Sequence, residues 1–118
     1  MEIRLKRVYL PASQGDGYRV LVDRLWPRGV KKEVARIDEW AKELAPSNET
    51  RKRFHNKPKK WNEFRAEYLR ELNSRLDEID ELLANVPDAT LTLVYGARDD
   101  RQNNAQVLAE ALRERAGG

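Results

Sequence analysis

Residues 90–97, TLTLVYGA, form the clearest strand pattern in the chain and decide the predicted fold. The stretch is short, apolar and rich in β-branched residues, which is typical of a strand buried on both faces. It follows a long amphipathic pattern over residues 59–86 and precedes another over residues 103–118. A buried strand between helices favours an α/β layer fold with a mainly parallel sheet.

Two further strand patterns lie near the N-terminus and are joined by turn-forming residues. Residues 3–10, IRLKRVYL, alternate in polarity, and we expect Ile3, Leu5 and Val8 on one side of the strand. Residues 18–25, YRVLVDRL, are apolar at their centre, as in a strand covered on both faces. These patterns extend the predicted sheet to at least three strands.

The segment between the second strand and the long amphipathic region is ambiguous. Residues 30–46 fit one helix, or a short helix followed by an extended segment over 38–45, and we favour the second interpretation. Ser47 is a good N-cap for a helix over residues 46–54. A single helix over residues 59–86 would be about 40 Å long, so we expect a bend near residues 73–74.

The predicted order of elements is β-β-(β)-α-α-β-α over one domain, residues 1–118. We predict a compact α/β fold, a single layer of mainly parallel sheet flanked by helices, which is Rossmann-like. No apolar run is long enough to span a membrane, and the N-terminus lacks the pattern of a signal peptide. These features predict a cytoplasmic protein without a membrane partner.

The composition excludes several kinds of site. There is no cysteine, which excludes disulfides, thiolate metal ligands and a cysteine nucleophile. The single histidine, His55, disfavours both a histidine-based zinc site and a Ser-His-Asp triad. We therefore predict no metal and no cofactor. The 23 basic and 20 acidic residues leave a net charge of +3, which is typical of an ordinary soluble surface.

The end of the second predicted strand, VDRLWPRG at residues 22–29, is unusually polar. A second polar stretch, YGARDDRQNNA at residues 95–105, follows the last predicted strand. Ligands of open α/β sheets bind beyond the carboxyl ends of the strands. We therefore expect side chains from both stretches to converge on a small anion, namely those of Asp23, Arg24, Trp26, Arg28, Tyr95 and Asn103.

Each of these residues has a predicted role in binding a small phosphate-bearing metabolite or nucleotide. Arginine pairs suit phosphate because a guanidinium group binds two oxygens at once, so Arg24 and Arg28 are predicted to hold the anion. Trp26 would stack on the ligand, and Tyr95 with Asn103 would orient it.

Asp23 is the best candidate for a catalytic base in this cluster. Nearby arginines would keep it ionised, which suits an orienting role better than proton transfer. The structural alternative is that Asp23 pairs with Arg24 or Arg28 and that Trp26 only covers the core. This pattern does not determine whether the protein is an enzyme.

Two other interpretations come from different classes of function. Residues 51–61, RKRFHNKPKKW, combine basic and aromatic side chains, which are typical of nucleic-acid binding, although an exposed helix end is the simpler interpretation. The amphipathic region 59–86 is the candidate contact element of a protein that binds a partner. The sequence does not determine whether the protein forms homo-oligomers.

Several motifs together resemble the YeaO-like family, a bacterial and archaeal domain of unknown function. They are KRVYLPASQGDGYRVLVDRLWPRGVKK, IDEWAKELAPS, FRAEYLREL and LTLVYGARDDRQNNAQVLAEAL, and they cover nearly the whole chain. The resemblance implies a compact α/β domain and no established activity. It also implies a histidine after Asn103, where this chain has Asn104. A role for that histidine as an acid or base is therefore not expected in this protein.

Overall fold

The computed structural model of the protein describes residues 1–87 and 89–117. Four parallel strands form one sheet in the order β1-β4-β2-β3. They are β1 (Glu2–Arg7), β2 (Tyr18–Leu21), β3 (Glu39–Trp40) and β4 (Thr90–Tyr95). The helices are α1 (Lys32–Ala35), α2 (Asn48–Phe54), α3 (Trp61–Asn73), α4 (Leu76–Asn85) and α5 (Asn104–Gly117). The predicted α/β fold with a parallel sheet is confirmed, and a Rossmann-like description is compatible with it.

The strand predicted over residues 90–97 lies inside the sheet, between β1 and β2. Its residues from Leu91 to Tyr95 are all buried, which explains why this run is apolar without alternation. Alternate residues point to opposite faces, so Leu91 and Leu93 pack with the helices on one side while Val94 packs on the other.

The main core lies between one face of the sheet and helices α3, α4 and α5. Its largest fully buried side chains include Tyr68, Leu72, Ile79, Leu91 and Leu108. The opposite face has a thinner cover, in which Val8, Ala35 and Val94 pack with partly buried apolar residues of the segment 26–37. Val8 therefore lies on the face opposite Ile3, and its predicted position beside Ile3 and Leu5 is wrong.

Other boundaries differ from the predictions in informative ways. The amphipathic region 59–86 is broken where expected, because the backbone N–H of Ser74 turns back to the carbonyl of Glu71 and α4 begins two residues later. The extended segment predicted over 38–45 contains only the two residues of β3, followed by a 3-10 turn at Lys42–Leu44. The second strand ends at Leu21 rather than residue 25, because the chain after it turns into the loop that forms the candidate site.

Within the described ranges, no helix combines the length and apolar character needed to cross a membrane.

Candidate functional site

A cleft of about 550 Å³ lies beyond the carboxyl ends of β2 and β4, and we call it the strand-end cleft. Three parts of the chain form its walls: the loop after β2, the loop after β4 with the start of α5, and the segment 46–64. The lining residues are Asp23, Arg24, Leu25, Pro46, Arg51, Phe54, His55, Asn56, Lys57, Pro58, Trp61, Phe64, Ala97, Arg98, Asp99, Gln102, Asn103 and Asn104.

Asp23 is held in the cleft wall by two neutral donors. Its Oδ2 accepts a hydrogen bond of 2.8 Å from the backbone N–H of Gly96, and its Oδ1 accepts one of 3.1 Å from the side-chain amide of Asn104. The same amide donates to the carbonyl of Val22 at 2.9 Å, so Asn104 joins the start of α5 to the end of β2. Burial raises the pKa of Asp23, and the bonds from Asn104 and Gly96 offset only part of that effect.

Gly96 permits the close approach of Asp23 to the backbone. A Cβ atom at position 96 would lie 2.9 Å from Asp23 Oδ2, which is too close for an unshifted side chain. Any other residue at this position would push the carboxylate away from the backbone N–H that it now accepts from. The glycine that ends β4 is therefore part of the construction of the site.

Arg24 is fixed in the cleft by backbone carbonyls. Its Nε donates to the carbonyl of Pro46 at 2.9 Å and its Nη2 approaches the carbonyl of Ala45 at 3.4 Å. Across residues 1–87 and 89–117, no carboxylate forms a salt bridge with this guanidinium group. Its positive charge is thus positioned in the cleft without being neutralised by a direct partner, which suits an anionic ligand.

Asn103 caps the last helix. Its Oδ1 accepts a hydrogen bond of 3.0 Å from the backbone N–H of Gln106, and its amide donates to the carbonyl of Asp99 at 2.8 Å. The residue lines the cleft but is only 4% exposed. These contacts give Asn103 a structural role, positioning the loop after β4, and its role in orienting a ligand stays a prediction.

An aromatic wall lines the cleft together with the charged residues. It consists of Phe54, Trp61 and Phe64, with ring centroids 5.9 Å apart for Phe54 and Phe64 and 5.5 Å apart for Trp61 and Phe64. Phe64 in turn packs at 5.8 Å on Tyr68, whose hydroxyl donates to the buried carbonyl of Leu44. The wall is therefore anchored in the core while its outer rings stay partly exposed.

Cations outnumber carboxylates around the cleft. Arg24, Arg51, Lys57 and Arg98 line it together with His55, against the two carboxylates of Asp23 and Asp99. A tight turn places Lys57 at the rim: its backbone N–H bonds to the carbonyl of Phe54, and Asn56 takes the left-handed conformation (φ 55°) that such turns require at this position. The cleft combines an apolar aromatic surface with a net positive charge.

Three of the six residues predicted for the site line the strand-end cleft, namely Asp23, Arg24 and Asn103. Tyr95 is 3% exposed and belongs to the main core, so it supports the cleft from behind rather than lining it. Burial and the nearby carboxylate of Asp100 raise the pKa of Tyr95, which therefore stays neutral in the ordinary pH range.

Trp26 and Arg28 lie outside the cleft. Leu25 is the last residue of the loop after β2 that lines the cleft, and Trp26 already packs with the apolar residues on the opposite face of the sheet. The indole N–H of Trp26 donates to the carbonyl of Val30 at 2.7 Å, and its ring packs edge-on against Trp40. These contacts agree with the structural interpretation, in which Trp26 covers the core. Arg28 is exposed, and its contact is a backbone one, since its carbonyl accepts from the hydroxyl of Tyr9.

The structure supports neither the expectation that nearby arginines keep Asp23 ionised nor the alternative in which Asp23 forms a structural ion pair with Arg24 or Arg28. Among the described residues, neither Arg24 nor Arg28 forms a salt bridge with it, so no arginine holds its pKa low. Its partners, the Gly96 N–H and the Asn104 amide, carry no charge. Residues adjacent in sequence need not pair in space: Arg24 donates instead to the carbonyls of Pro46 and Ala45, and Arg28 lies outside the cleft.

Two candidate sites that are separate in the sequence form one cleft in the fold. The basic and aromatic stretch 51–61, predicted as a candidate for nucleic-acid binding, contributes Arg51, Phe54, Lys57 and Trp61 to the cleft. The signal in the sequence was present, but nothing local connects residues 51–61 with the strand ends. Over the described part of the chain, no group of three His, Asp or Glu side chains is placed to hold a metal ion.

Comparison with known proteins places the chain in a family. A family model described as the inactive DUF488-N3 subclade matches residues 2–117. The chain belongs to this subclade. It is 50% identical over 113 residues to the uncharacterized protein YeaO of Escherichia coli K12, which covers 96% of this chain and 98% of that protein. It is 37% identical over 115 residues to the uncharacterized protein Rv3073c of Mycobacterium tuberculosis H37Rv, with 96% and 95% covered. No solved structure gave a significant match.

The predicted relationship to the YeaO-like family is therefore confirmed. In this DUF488-N3 protein, position 104 is an asparagine whose amide donates hydrogen bonds to the carbonyl of Val22 and the carboxylate of Asp23. An amide does not titrate in the ordinary pH range, whereas an imidazole at the same place would titrate near neutrality. The Asp23–Asn104 pair can thus position groups and accept hydrogen bonds, but Asn104 cannot relay a proton.

Proposed function

We propose that this protein binds a small phosphate-bearing metabolite, with a nucleotide as the favoured class, in the strand-end cleft and without converting it. One observation carries the proposal: four arginine and lysine side chains and an aromatic wall line the same cavity. Cationic groups suit a phosphate, and aromatic rings suit the flat face of a base. The volume of about 550 Å³ lies within the usual range for small-ligand sites.

Binding without conversion accounts for the chemistry around Asp23. Its hydrogen-bond partners are neutral, and Asn104 cannot act as an acid or base beside it. The description of the matched family as inactive agrees with a binding role. The proposal includes a cytoplasmic location, where phosphate-bearing metabolites are abundant.

The test compares two double variants that remove the same charge from nearby positions. Arg51→Gln with Lys57→Gln removes two cations from the cleft, whereas Lys52→Gln with Lys60→Gln removes two exposed cations that do not line it. Binding of adenosine monophosphate and of inorganic phosphate is measured by calorimetry. We expect the first double variant to weaken nucleotide binding about tenfold or more and the second to change it little.

The same pair of variants separates a small-molecule site from nucleic-acid binding. A nucleic-acid surface would use all the cations of residues 51–61, so both double variants would then weaken oligonucleotide binding, and affinity would fall steeply with salt. Equal loss in both, without mononucleotide binding by the wild type, would contradict the proposal. Partner binding through the apolar face of α3 and α4 is disfavoured, because Tyr68, Leu72 and Ile79 on that face are already buried.

A further inference from the structure

Asp23 is unusual among the groups that line the strand-end cleft. The other lining carboxylate, Asp99, is exposed, and its Oδ1 accepts from the backbone N–H groups of Arg101 and Gln102 at 2.8 and 3.0 Å. Asp23 is partly buried, and within the described residues no cation pairs with it. Each of its oxygens accepts one hydrogen bond from the protein, whereas an ionised carboxylate accepts about four in all.

We propose that Asp23 accepts a hydrogen bond from a hydroxyl or amino group of the bound ligand, and that the cleft therefore selects a nucleotide carrying such a donor. This inference rests on the proposed function and adds a rule of selectivity to it. The phosphate of the ligand lies towards Arg51, Lys57 and Arg98, because two negative groups in contact would repel each other.

The selectivity follows from what a ligand does to the solvation of Asp23. A molecule that fills the cleft displaces the water that the carboxylate can reach. A ligand with a donor replaces that water, whereas a ligand without one leaves a charged acceptor unsatisfied, which is costly. Sites that hydrogen-bond a ligand polar group reject analogues lacking it far better than apolar pockets reject a missing methylene. Burial already raises the pKa of Asp23, so a further loss of solvation would destabilise the ionised carboxylate still more.

Two parts of a nucleotide can supply the donor, the sugar hydroxyls and the exocyclic amino group of the base. The experiment measures wild-type affinity for the four common ribonucleoside monophosphates, for their 2′-deoxy and 3′-deoxy counterparts, and for purine riboside monophosphate, which lacks the amino group, beside adenosine monophosphate. We expect the best ribonucleotide to bind about tenfold more tightly than one of its deoxy forms if the sugar is the source. If the base is the source, we expect the same factor between adenosine and purine riboside monophosphates.

Asp23→Asn should abolish this discrimination while leaving affinity for the weaker analogue largely unchanged. Asp99→Asn, which also removes a carboxylate from the cleft wall, is the matched control and should keep the discrimination. Because Asp23→Asn sets two amides against each other at Asn104, the variant Asp23→Ala, which leaves the Asn104 amide its bond to the carbonyl of Val22, is tested beside it. It should fold and should also lack discrimination.

Two failures are distinguishable. If the wild type binds none of the nucleotides, the proposed function itself is wrong. If it binds ribonucleotides, deoxyribonucleotides and purine riboside monophosphate within about threefold of one another, the cleft is a nucleotide site but Asp23 does not select the ligand. Discrimination that survives in both Asp23 variants would overturn the inference in the same way.

Discussion

At the scale of single residues, the contrast between Asp16 and Asp23 shows how surroundings decide the behaviour of a carboxylate. Burial acts to raise the pKa of both. Around Asp16, hydrogen bonds from Ser13, Lys6 and Arg19 outweigh burial and hold the pKa at about 2. Around Asp23 the donors are neutral and burial prevails. Asp16 therefore forms structural ion pairs with Lys6 and Arg19. Asp23 lies in a cleft and can accept further hydrogen bonds.

Asp16→Asn should destabilise the protein by about 3 kcal/mol at neutral pH, because it leaves the buried guanidinium of Arg19 without its carboxylate. The sign of the pH dependence follows from the lowered pKa. Between about pH 4 and pH 2 the unfolded state binds more protons, so the wild type loses about 2 kcal/mol as the pH falls through this window. The gap between wild type and variant should therefore narrow in acid, as measured by urea unfolding.

The control for this variant is Asp80→Asn, which breaks an ion pair between exposed side chains, with Arg115. It should have a much smaller effect, because exposed ion pairs contribute little to stability. A loss in Asp16→Asn that is constant from pH 7 to pH 2 would contradict the role given to its charge.

At the scale of elements, hydrogen bonds between hydroxyl and carboxylate groups hold helix α2 against α3. Glu71 accepts from the backbone N–H of Ser47 at 2.9 Å, from its hydroxyl at 2.6 Å and from the hydroxyl of Thr50 at 2.7 Å. The Thr50 hydroxyl also contacts Glu67. Although burial acts against ionisation, these bonds and the charge of Arg24 lower the pKa of Glu71. These hydrogen bonds position helix α2, whose residues Arg51 and Phe54 line the cleft.

Glu71→Ala should lower the free energy of unfolding by about 2 kcal/mol, because it leaves the buried Thr50 hydroxyl and the Ser47 N–H with fewer partners. Amide hydrogen exchange in α2 should accelerate, and nucleotide affinity should fall although Glu71 does not line the cleft. Glu114→Ala, at an exposed position of α5, is the control and should change neither. Unchanged exchange in α2 would show that the helix is held by other contacts.

At the scale of the whole molecule, we expect the exposed charges to contribute little to stability. Arg51, Lys52 and Lys60 are exposed, as predicted. Changing all three to glutamine should alter the free energy of unfolding by less than about 1 kcal/mol, since exposed charges contribute little. Nucleotide binding should nevertheless weaken, because Arg51 lines the cleft. A loss of stability well above that value in a thermal melt would contradict this separation.

The sequence by itself determined the elements of this protein. The apolar run of β4, the cap at Ser47, the helical period of α3 and α4 and the break between them are local patterns. Each depends on neighbouring residues, whose spacing sets which face is apolar and where a helix begins or ends. The parallel sheet follows from the alternation of these elements, because parallel strands need long crossovers between them.

Only the tertiary structure decided the composition of the cleft. Asp23, Lys57 and Arg98 come from separate segments that meet because β2 and β4 are neighbours and α2 is held against α3. The loop after β2 leaves the cleft at Trp26, so Trp26 and Arg28 lie outside the cleft although they follow Asp23 closely in sequence. Side-chain direction in a loop depends on contacts with distant residues, and no local pattern encodes those contacts.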